Sequence, residues 1–158
     1  MRTGWASLTN KNIIWNGNGN TFSNFVVEGN AYGQAGLFGK AGNVTINDLT
    51  LKDVTATGYQ VGAFFGNAEN SKLVNCKLAG NITINFAQTS ETYNSIGSAV
   101  GCFSYYGVDK NIAIVSVVDG ANIVINNTGI TYHSSGVDVG GDLIDVLYNG
   151  AQFATTIA

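Results

Sequence analysis

The sequence is poor in residues that interrupt strands and in residues that carry charge. It has no proline among 158 residues, and Asp, Glu, Lys and Arg make up 11% of it, against about 25% in an average protein. A stack of fully paired strands cannot spare the backbone donor that proline lacks, so this absence favours strands. The net charge is −3 and the single arginine is Arg2. Because binding to nucleic acid depends on clustered Lys and Arg, we expect no nucleic-acid partner.

Long apolar runs are missing as well. No run reaches the roughly 18–20 residues of a membrane span, so we expect no membrane span. The residues after Met1 lack the apolar stretch of a signal peptide. Because the sequence begins and ends abruptly, we expect a piece of a longer protein, with any leader lying outside this sequence. Residues 1–158 suit a single domain, whose core needs neither a metal nor a disulfide.

The two cysteines, Cys76 and Cys102, stand at different distances from the glycines before them (76−66 = 10 and 102−101 = 1). If the repeats described below stack in register, the two thiols do not face each other. We expect buried free thiols that act as small apolar residues, with a disulfide as the alternative.

Residues that carry catalysis or bind metals are few and scattered. His133 is the only histidine, and no acid stands beside it to complete a catalytic triad. Asp48 and Asp53 are five residues apart and are expected to flank a corner rather than share a strand face. The three aspartates within 138–145 match no calcium-binding loop. The sequence predicts no catalytic residue, no metal site and no cofactor, and the chain is not expected to be an enzyme.

Glycine is abundant, with 21 residues, and part of it belongs to a repeat. Each copy has a tyrosine, a glycine three or four residues later, and a second glycine after that. The four copies are Tyr32–Gly36–Gly39, Tyr59–Gly62–Gly66, Tyr93–Gly97–Gly101 and Tyr132–Gly136–Gly140. The spacing between tyrosines grows (59−32 = 27, 93−59 = 34, 132−93 = 39). The added length is expected in loops, at 88–94, 102–110 and 126–131.

Apolar residues alternate with polar ones after each glycine pair, as in Val44, Ile46, Ile82 and Ile84. This period of two predicts short strands with one face buried. Three strands in a repeat of about 27 residues predict an all-β right-handed parallel β-helix, or solenoid, of about four to five turns. A β-propeller blade needs more residues. We place the repeats at 12–140 and a partial turn or cap at 141–158. The nearest pattern to a helix, at 141–150, is an alternative for that segment.

Two stretches resemble known families. Residues 12–21 (NIIWNGNGNT) are similar to the opening turn of pectate-lyase-like β-helices. The segments GLFG at 36–39, GAFFG at 62–66 and GSAVG at 97–101 resemble the glycine-rich, GLUG-like repeats of bacterial surface adhesin-like proteins, which are abundant in Bacteroidetes. The resemblance implies an exported, modular protein that is extracellular or on the cell surface. It does not carry over the catalytic residues of pectate lyases, because the chain's one arginine lies outside the repeats.

Like residues are expected to align in columns along the stack. The repeated tyrosines predict an aromatic ladder, with a sugar-binding platform as the alternative. Asn43 and Asn70 both follow a second glycine by four residues (43−39 and 70−66), and they predict an asparagine column, which Asn111 would extend. Exposed contacts are expected at loop tyrosines and at the ladder. The candidate ligand-binding residues are Tyr105, Tyr106, Tyr93 and Tyr59.

The sequence thus favours a non-catalytic, extracellular, adhesin-like binding and spacer module. Its partner would be a glycan or a host surface protein, bound by a rigid repeated surface. One alternative is a fragment of a carbohydrate-active enzyme, such as a polysaccharide lyase or hydrolase. A second alternative is a phage tail-fibre or virion component. The oligomeric state and the ligand are not determined by these patterns.

Overall fold

The computed structural model describes residues 2–3, 12–29, 33–87, 95–103, 113–118, 120–127, 146–148 and 152–157. Within these ranges the regular structure is all β, and none of these residues forms a helix that is long and apolar enough to cross a membrane. The strands are β1 (Arg2–Thr3), β2 (Ile13–Asn16), β3 (Thr21–Glu28), β4 (Gln34–Ala35), β5 (Phe38–Gly42), β6 (Val44–Asn47), β7 (Thr50–Gly58), β8 (Gln60–Val61), β9 (Phe65–Glu69), β10 (Lys72–Phe86), β11 (Ser95–Ile96), β12 (Val100–Phe103), β13 (Ala113–Val117), β14 (Asn122–Asn127), β15 (Val146–Tyr148) and β16 (Gln152–Ile157).

Every strand pairing among these residues is parallel. The strands form a ten-stranded sheet that curls into a half-barrel, and two three-stranded sheets, β4–β8–β11 and β5–β9–β12. The long strand β10 bends within the curled sheet. Its first residues pair with β6, and the rest pair with β7. The expectation of an all-β, parallel architecture is confirmed.

The separations of paired strands along the chain agree in part with the predicted repeat lengths of 27, 34 and 39. Phe38 pairs with Phe65 (65−38 = 27), and Phe65 pairs with Val100 (100−65 = 35). In the curled sheet Asn81 pairs with Asn122 (122−81 = 41). Residues are added after β10 and after β12, where two of the extra loops were predicted, but the repeat length does not keep growing: Val115 pairs with Val146 (146−115 = 31) and Asn122 pairs with Gln152 (152−122 = 30).

The apolar residues of the alternating pattern form the core. Val54 and Ile82 lie in register on adjacent strands, and Ile82 is in turn in register with Ile123. All three are fully buried. Burying a side chain of this size contributes roughly 1.5–3 kcal/mol. The alternation therefore fixes which face of each strand points inward, because a shift by one residue would expose the whole set.

The glycine pairs align as predicted. The register places Gly39 beside Gly66 and Gly66 beside Gly101, between the paired residues on either side. Their physical role is not the tolerance of positive φ for which glycine is often used. None of these glycines has a positive φ. A Cβ built on Gly62 would lie 2.7 Å from the backbone N of Gly101. Glycine is required here because the next repeat's backbone lies too close for any side chain.

The first repeat begins where the sequence placed it. Strand β2 pairs with β6, which puts Ile13 beside Val44 and Trp15 beside Ile46. The Trp15 ring meets the buried Phe38 ring edge-on, with the centroids 5.7 Å apart. The partly buried Phe25 packs against the same core. The segment 12–21 therefore belongs to the stacked part of the chain.

Two further sequence predictions meet the structure here. Cys76 is a buried free thiol in the curled sheet, as expected, and the backbone of Cys102 lies on β12 of another sheet. The helical alternative for 141–150 is wrong at residues 146–148, which form the parallel strand β15. Tyr32, Asn111, His133 and the fourth copy of the repeat (Tyr132–Gly136–Gly140) lie outside the described ranges.

Candidate functional site

Asparagine and aspartate occupy a second kind of corner, where the backbone is left-handed. Seven non-glycine residues among those described have positive φ, and all are Asn or Asp. They fall into three sets that follow the stack: Asn18, Asp48 and Asn75; Asn43 and Asn70; Asn24 and Asp53, followed by Gly80. Asn and Asp tolerate this conformation because their short polar side chains bond locally. The stack therefore turns at the same place in successive repeats.

Side chains at these corners join one repeat to the next. Asn70 Nδ2 donates to Asn43 Oδ1, and Asn75 Nδ2 donates to Asp48 Oδ1. The predicted pairing of Asn43 with Asn70 is confirmed. At the third set, the Asn81 backbone N–H donates to Asp53 Oδ1 over 2.9 Å. Asp48 and Asp53 thus flank corners, as the sequence indicated.

The first corner set lines an open polar pocket of about 180 Å³. Three successive repeats contribute to it, each with a corner residue and a nearby neighbour. We call this the corner pocket; its lining residues are Asn18, Gly19, Asp48, Thr50, Asn75 and Lys77. Thr50 and Lys77 lie in register on β7 and β10. The strand ladder therefore holds the Thr50 and Lys77 side of the pocket, and the turn at 17–20 forms another wall.

Backbone hydrogen bonds fix the walls of the corner pocket. The Gly19 N–H donates to Asp48 O over 2.8 Å, and the Thr50 N–H donates to Asn20 O over 3.0 Å. Asn20 Nδ2 also donates to Gly17 O over 2.8 Å, which closes the turn at 17–20. These bonds hold the first wall against the second. The shape of the pocket is consequently set before any ligand arrives.

The polar groups of the corner pocket differ in charge and in hydrogen-bonding capacity. Asp48 supplies a carboxylate that still has acceptor positions beyond the bond from Asn75. Lys77 supplies three donors, is exposed, and takes part in no ion pair with a residue that the structure describes. Elsewhere, Lys40 pairs with Glu69 at 3.8 Å. The lining of the pocket therefore presents both hydrogen-bond acceptors and hydrogen-bond donors, and it carries little net charge.

A second surface lies on the outward face of the curled sheet. Val26, Thr55, Thr83 and Val124 form one column of this face. In the neighbouring column Asn126 Nδ2 donates to Asn85 Oδ1 over 2.7 Å, and Asn85 Nδ2 donates to Thr57 Oγ1 over 3.3 Å. Val26 is 54% exposed. The exposed Glu28 lies beside Thr57 in this second column. The corner pocket is the stronger candidate because it is a concave site lined by residues of three repeats.

Of the predicted ligand-binding tyrosines, Tyr59 is described, whereas Tyr93, Tyr105 and Tyr106 lie outside the described residues. Tyr59 is half-buried, packs against the core, and has its pKa raised by that burial. Its backbone N–H donates to Gly33 O over 2.8 Å. A Cβ on Gly33 would overlap the Tyr59 ring, so this ring lies directly on Gly33. The roles of the four tyrosines remain predictions.

The corner pocket could have been found in the sequence but was not. Asp48 and Asn75 both follow a second glycine by nine residues (48−39 and 75−66), just as Asn43 and Asn70 follow it by four. Asp53 and Gly80 follow by fourteen (53−39 and 80−66). The signal was therefore present at three offsets. A repeat of one residue type does not reveal this signal, because the corners accept Asn, Asp or Gly.

The described residues contain no group of three or more His, Cys, Asp or Glu side chains placed to hold a metal ion. The chain matches no protein-family model, and comparison finds no curated protein and no solved structure that it resembles.

Proposed function

We propose that the chain is a right-handed parallel β-helix that serves as a non-catalytic, extracellular, adhesin-like binding and spacer module. Its partner is a glycan or a protein on a host surface. The proposal is carried chiefly by the parallel register between successive repeats, which runs from β2 and β3 through β7 and β10 to β14. A backbone of this kind presents outward side chains at the strand spacing of about 4.8 Å.

The arrangement of hydrogen bonds supports a rigid binding surface. Side-chain hydrogen bonds on the outer surface join adjacent repeats. One series links Asn126, Asn85 and Thr57, and another bond links Asn75 to Asp48. Ordered polar groups lose little conformational entropy when a ligand binds, which favours affinity. Contacts that are weak individually become strong when several are engaged at once, since linked sites bind with high effective concentration. Repetition thus suits attachment to a repetitive glycan.

The tyrosines at 93, 105 and 106 are proposed as additional contacts. Residues 88–94 and 104–110 lie between paired strands in the chain, where the repeat length grows. A tyrosine ring offers an apolar face for a sugar ring and a hydroxyl for hydrogen bonding. Tyr59, whose ring lies on Gly33, would contribute the exposed part of its side chain.

A glycan array with the purified chain tests this function. We expect binding to at least one class of polysaccharide, with no release of reducing sugar from the polysaccharides bound. The double substitution Tyr105→Ala and Tyr106→Ala should weaken array binding while leaving the thermal unfolding temperature unchanged. Release of reducing sugar by the wild-type chain, or absence of binding to every glycan and to host-cell surfaces, contradicts the proposal.

A further inference from the structure

The corner pocket is built from the chemistry that hydroxyl-rich ligands require. Asp48 accepts hydrogen bonds, the Lys77 ammonium donates them, and the Thr50 hydroxyl does both. The hydroxyl groups of a sugar are likewise donors and acceptors. Adjacent hydroxyls on one ring can therefore donate to Asp48 and accept from Lys77 together. A ligand with a single kind of polar group would leave one side of the pocket unmatched.

The charges in the corner pocket select for a neutral ligand. An anionic group drawn to Lys77 is repelled by the Asp48 carboxylate, and a cationic group meets the opposite conflict. A metal ion such as calcium prefers six to eight oxygen ligands, whereas the pocket supplies one carboxylate beside an ammonium. A neutral polyol satisfies both charged groups without opposing either.

The size of the corner pocket limits how much of a ligand enters. Its volume of about 180 Å³ is below the roughly 300–1,000 Å³ of ordinary small-molecule sites. It therefore suits one ring at the end or side of a glycan rather than a length of chain. The lining residues are largely exposed, so the affinity for a single ring should be on the order of millimolar.

We infer that the corner pocket binds one neutral sugar ring of a glycan, with Asp48 as hydrogen-bond acceptor and Lys77 as donor. The inference rests on the proposed function and names the subsite through which the chain holds its ligand. Asn75 is a positioning residue, since its amide is bonded to Asp48 Oδ1 and orients the carboxylate.

The substitutions Asp48→Asn and Lys77→Met test the subsite, and the chain supplies matched controls. Asparagine tolerates the left-handed backbone at position 48 and keeps an oxygen for the bond from Asn75. Asp53 is also a left-handed corner aspartate that accepts a bond from the next repeat, but it lies outside the pocket. Lys52 is likewise an exposed lysine of the curled sheet outside the pocket. Asp53→Asn and Lys52→Met therefore control for structure and for charge.

The measurements are titrations of neutral hexoses and N-acetylhexosamines by saturation-transfer NMR, and array binding of all four variants. Asp48→Asn and Lys77→Met should each weaken sugar binding about tenfold, while Asp53→Asn and Lys52→Met leave it unchanged. Lys77→Met keeps the test valid if Asp48→Asn fails to fold. Glycan binding that survives unchanged in both pocket variants overturns the subsite and leaves the proposed function standing. Preference for acidic over neutral sugars overturns the ligand class. A wild-type chain that binds no glycan overturns both.

Discussion

The chain turns between strands at two kinds of corner that solve different problems. At the glycine corner, which is formed by Gly36, Gly62 and the residues aligned with them, the backbone has ordinary φ but the next repeat lies in the way of any side chain. At the Asn/Asp corners the backbone is left-handed, and the side chains of Asn43, Asp48 and Asp53 accept hydrogen bonds from the next repeat. At the first kind of corner, the residue type is limited by the space beside the backbone. At the second kind, it is limited by the left-handed backbone conformation. The glycine corner is consequently fixed in residue type, whereas the outward corners are free to vary between Asn, Asp and Gly and to carry a binding site.

The largest expected effect comes from filling the glycine corner. In Gly62→Ala the new Cβ would lie 2.7 Å from backbone atoms of Val100 and Gly101, which cannot move without breaking the ladder. We expect a loss of about 3 kcal/mol in the free energy of unfolding, measured by urea denaturation.

The matched control for this substitution is Gly19→Ala. Gly19 has φ +73 and nothing within 4 Å of an added Cβ. It should lose only about 1–2 kcal/mol, the cost of a left-handed alanine. If Gly19→Ala is as damaging as Gly62→Ala, the distinction between crowding and conformation is wrong.

Ser71 tests an Asn/Asp corner at a buried position, because it directly follows the corner residue Asn70. Its Oγ accepts from the Val44 N–H over 3.1 Å and donates to Glu69 O over 2.9 Å. Ser71→Ala leaves the buried Val44 N–H without this acceptor, at a cost of about 2 kcal/mol. Chemical denaturation measures the loss, and Ser71→Thr is the control that keeps the hydroxyl. Equal stability of the alanine variant and the wild type would show that the bond contributes nothing.

A titratable group beside an Asn/Asp corner predicts a pH dependence. Cys76 follows Asn75, its Sγ lies 3.5 Å from Ile46 O, and burial raises its pKa from 9.0 to about 11. Between these values the folded state keeps the proton that the unfolded state loses. The contribution of the thiol to stability is therefore complete below pH 9 and is lost as the pH rises toward 11.

This dependence is measured as the difference in unfolding free energy between the wild type and Cys76→Ala. The difference should shrink by about 2 kcal/mol between pH 9 and 11. A difference that stays constant over this range contradicts the burial of the thiol.

The smallest effects are expected at the outward corners. Asp53→Ala removes the acceptor for the Asn81 N–H and places alanine in a left-handed conformation, which together should cost about 1.5 kcal/mol. Asp53→Asn and Asp53→Gly should each cost no more than about 0.5 kcal/mol. Asparagine keeps an acceptor oxygen and tolerates the left-handed backbone, and glycine tolerates that backbone. Thermal unfolding of the three variants orders them. If Asp53→Asn destabilises the chain as much as Asp53→Ala, backbone tolerance does not explain why these corners vary between Asn, Asp and Gly.

The sequence predicted those parts of the fold that depend on repetition of one residue type. The aligned glycines, the bond between Asn70 and Asn43 and the inward aliphatics were all read from spacing. The alignment of the tyrosines was harder to predict from spacing. The gap between the tyrosine and the first glycine is three residues at Tyr59 and four residues in the other copies. The register accordingly sets Tyr59 against Gly33 rather than against another tyrosine.

The corner pocket escaped prediction for a physical reason. A left-handed corner selects for backbone tolerance, which Asn18, Asp48 and Asn75 share, and not for one side chain. The partners at Thr50 and Lys77 have no residue type in common and come together only through the strand register. The corner set is visible in the sequence only when Asn and Asp at the same offset from the second glycine are treated as equivalent.

The central claim is that successive repeats stack in parallel with the register described. Isotope-edited NOE spectroscopy of the folded chain measures it directly, through contacts between backbone protons of adjacent strands. The account predicts contacts between Thr55 and Thr83 and between Phe65 and Val100. Contacts that instead pair β9 with β10 as an antiparallel hairpin would contradict it.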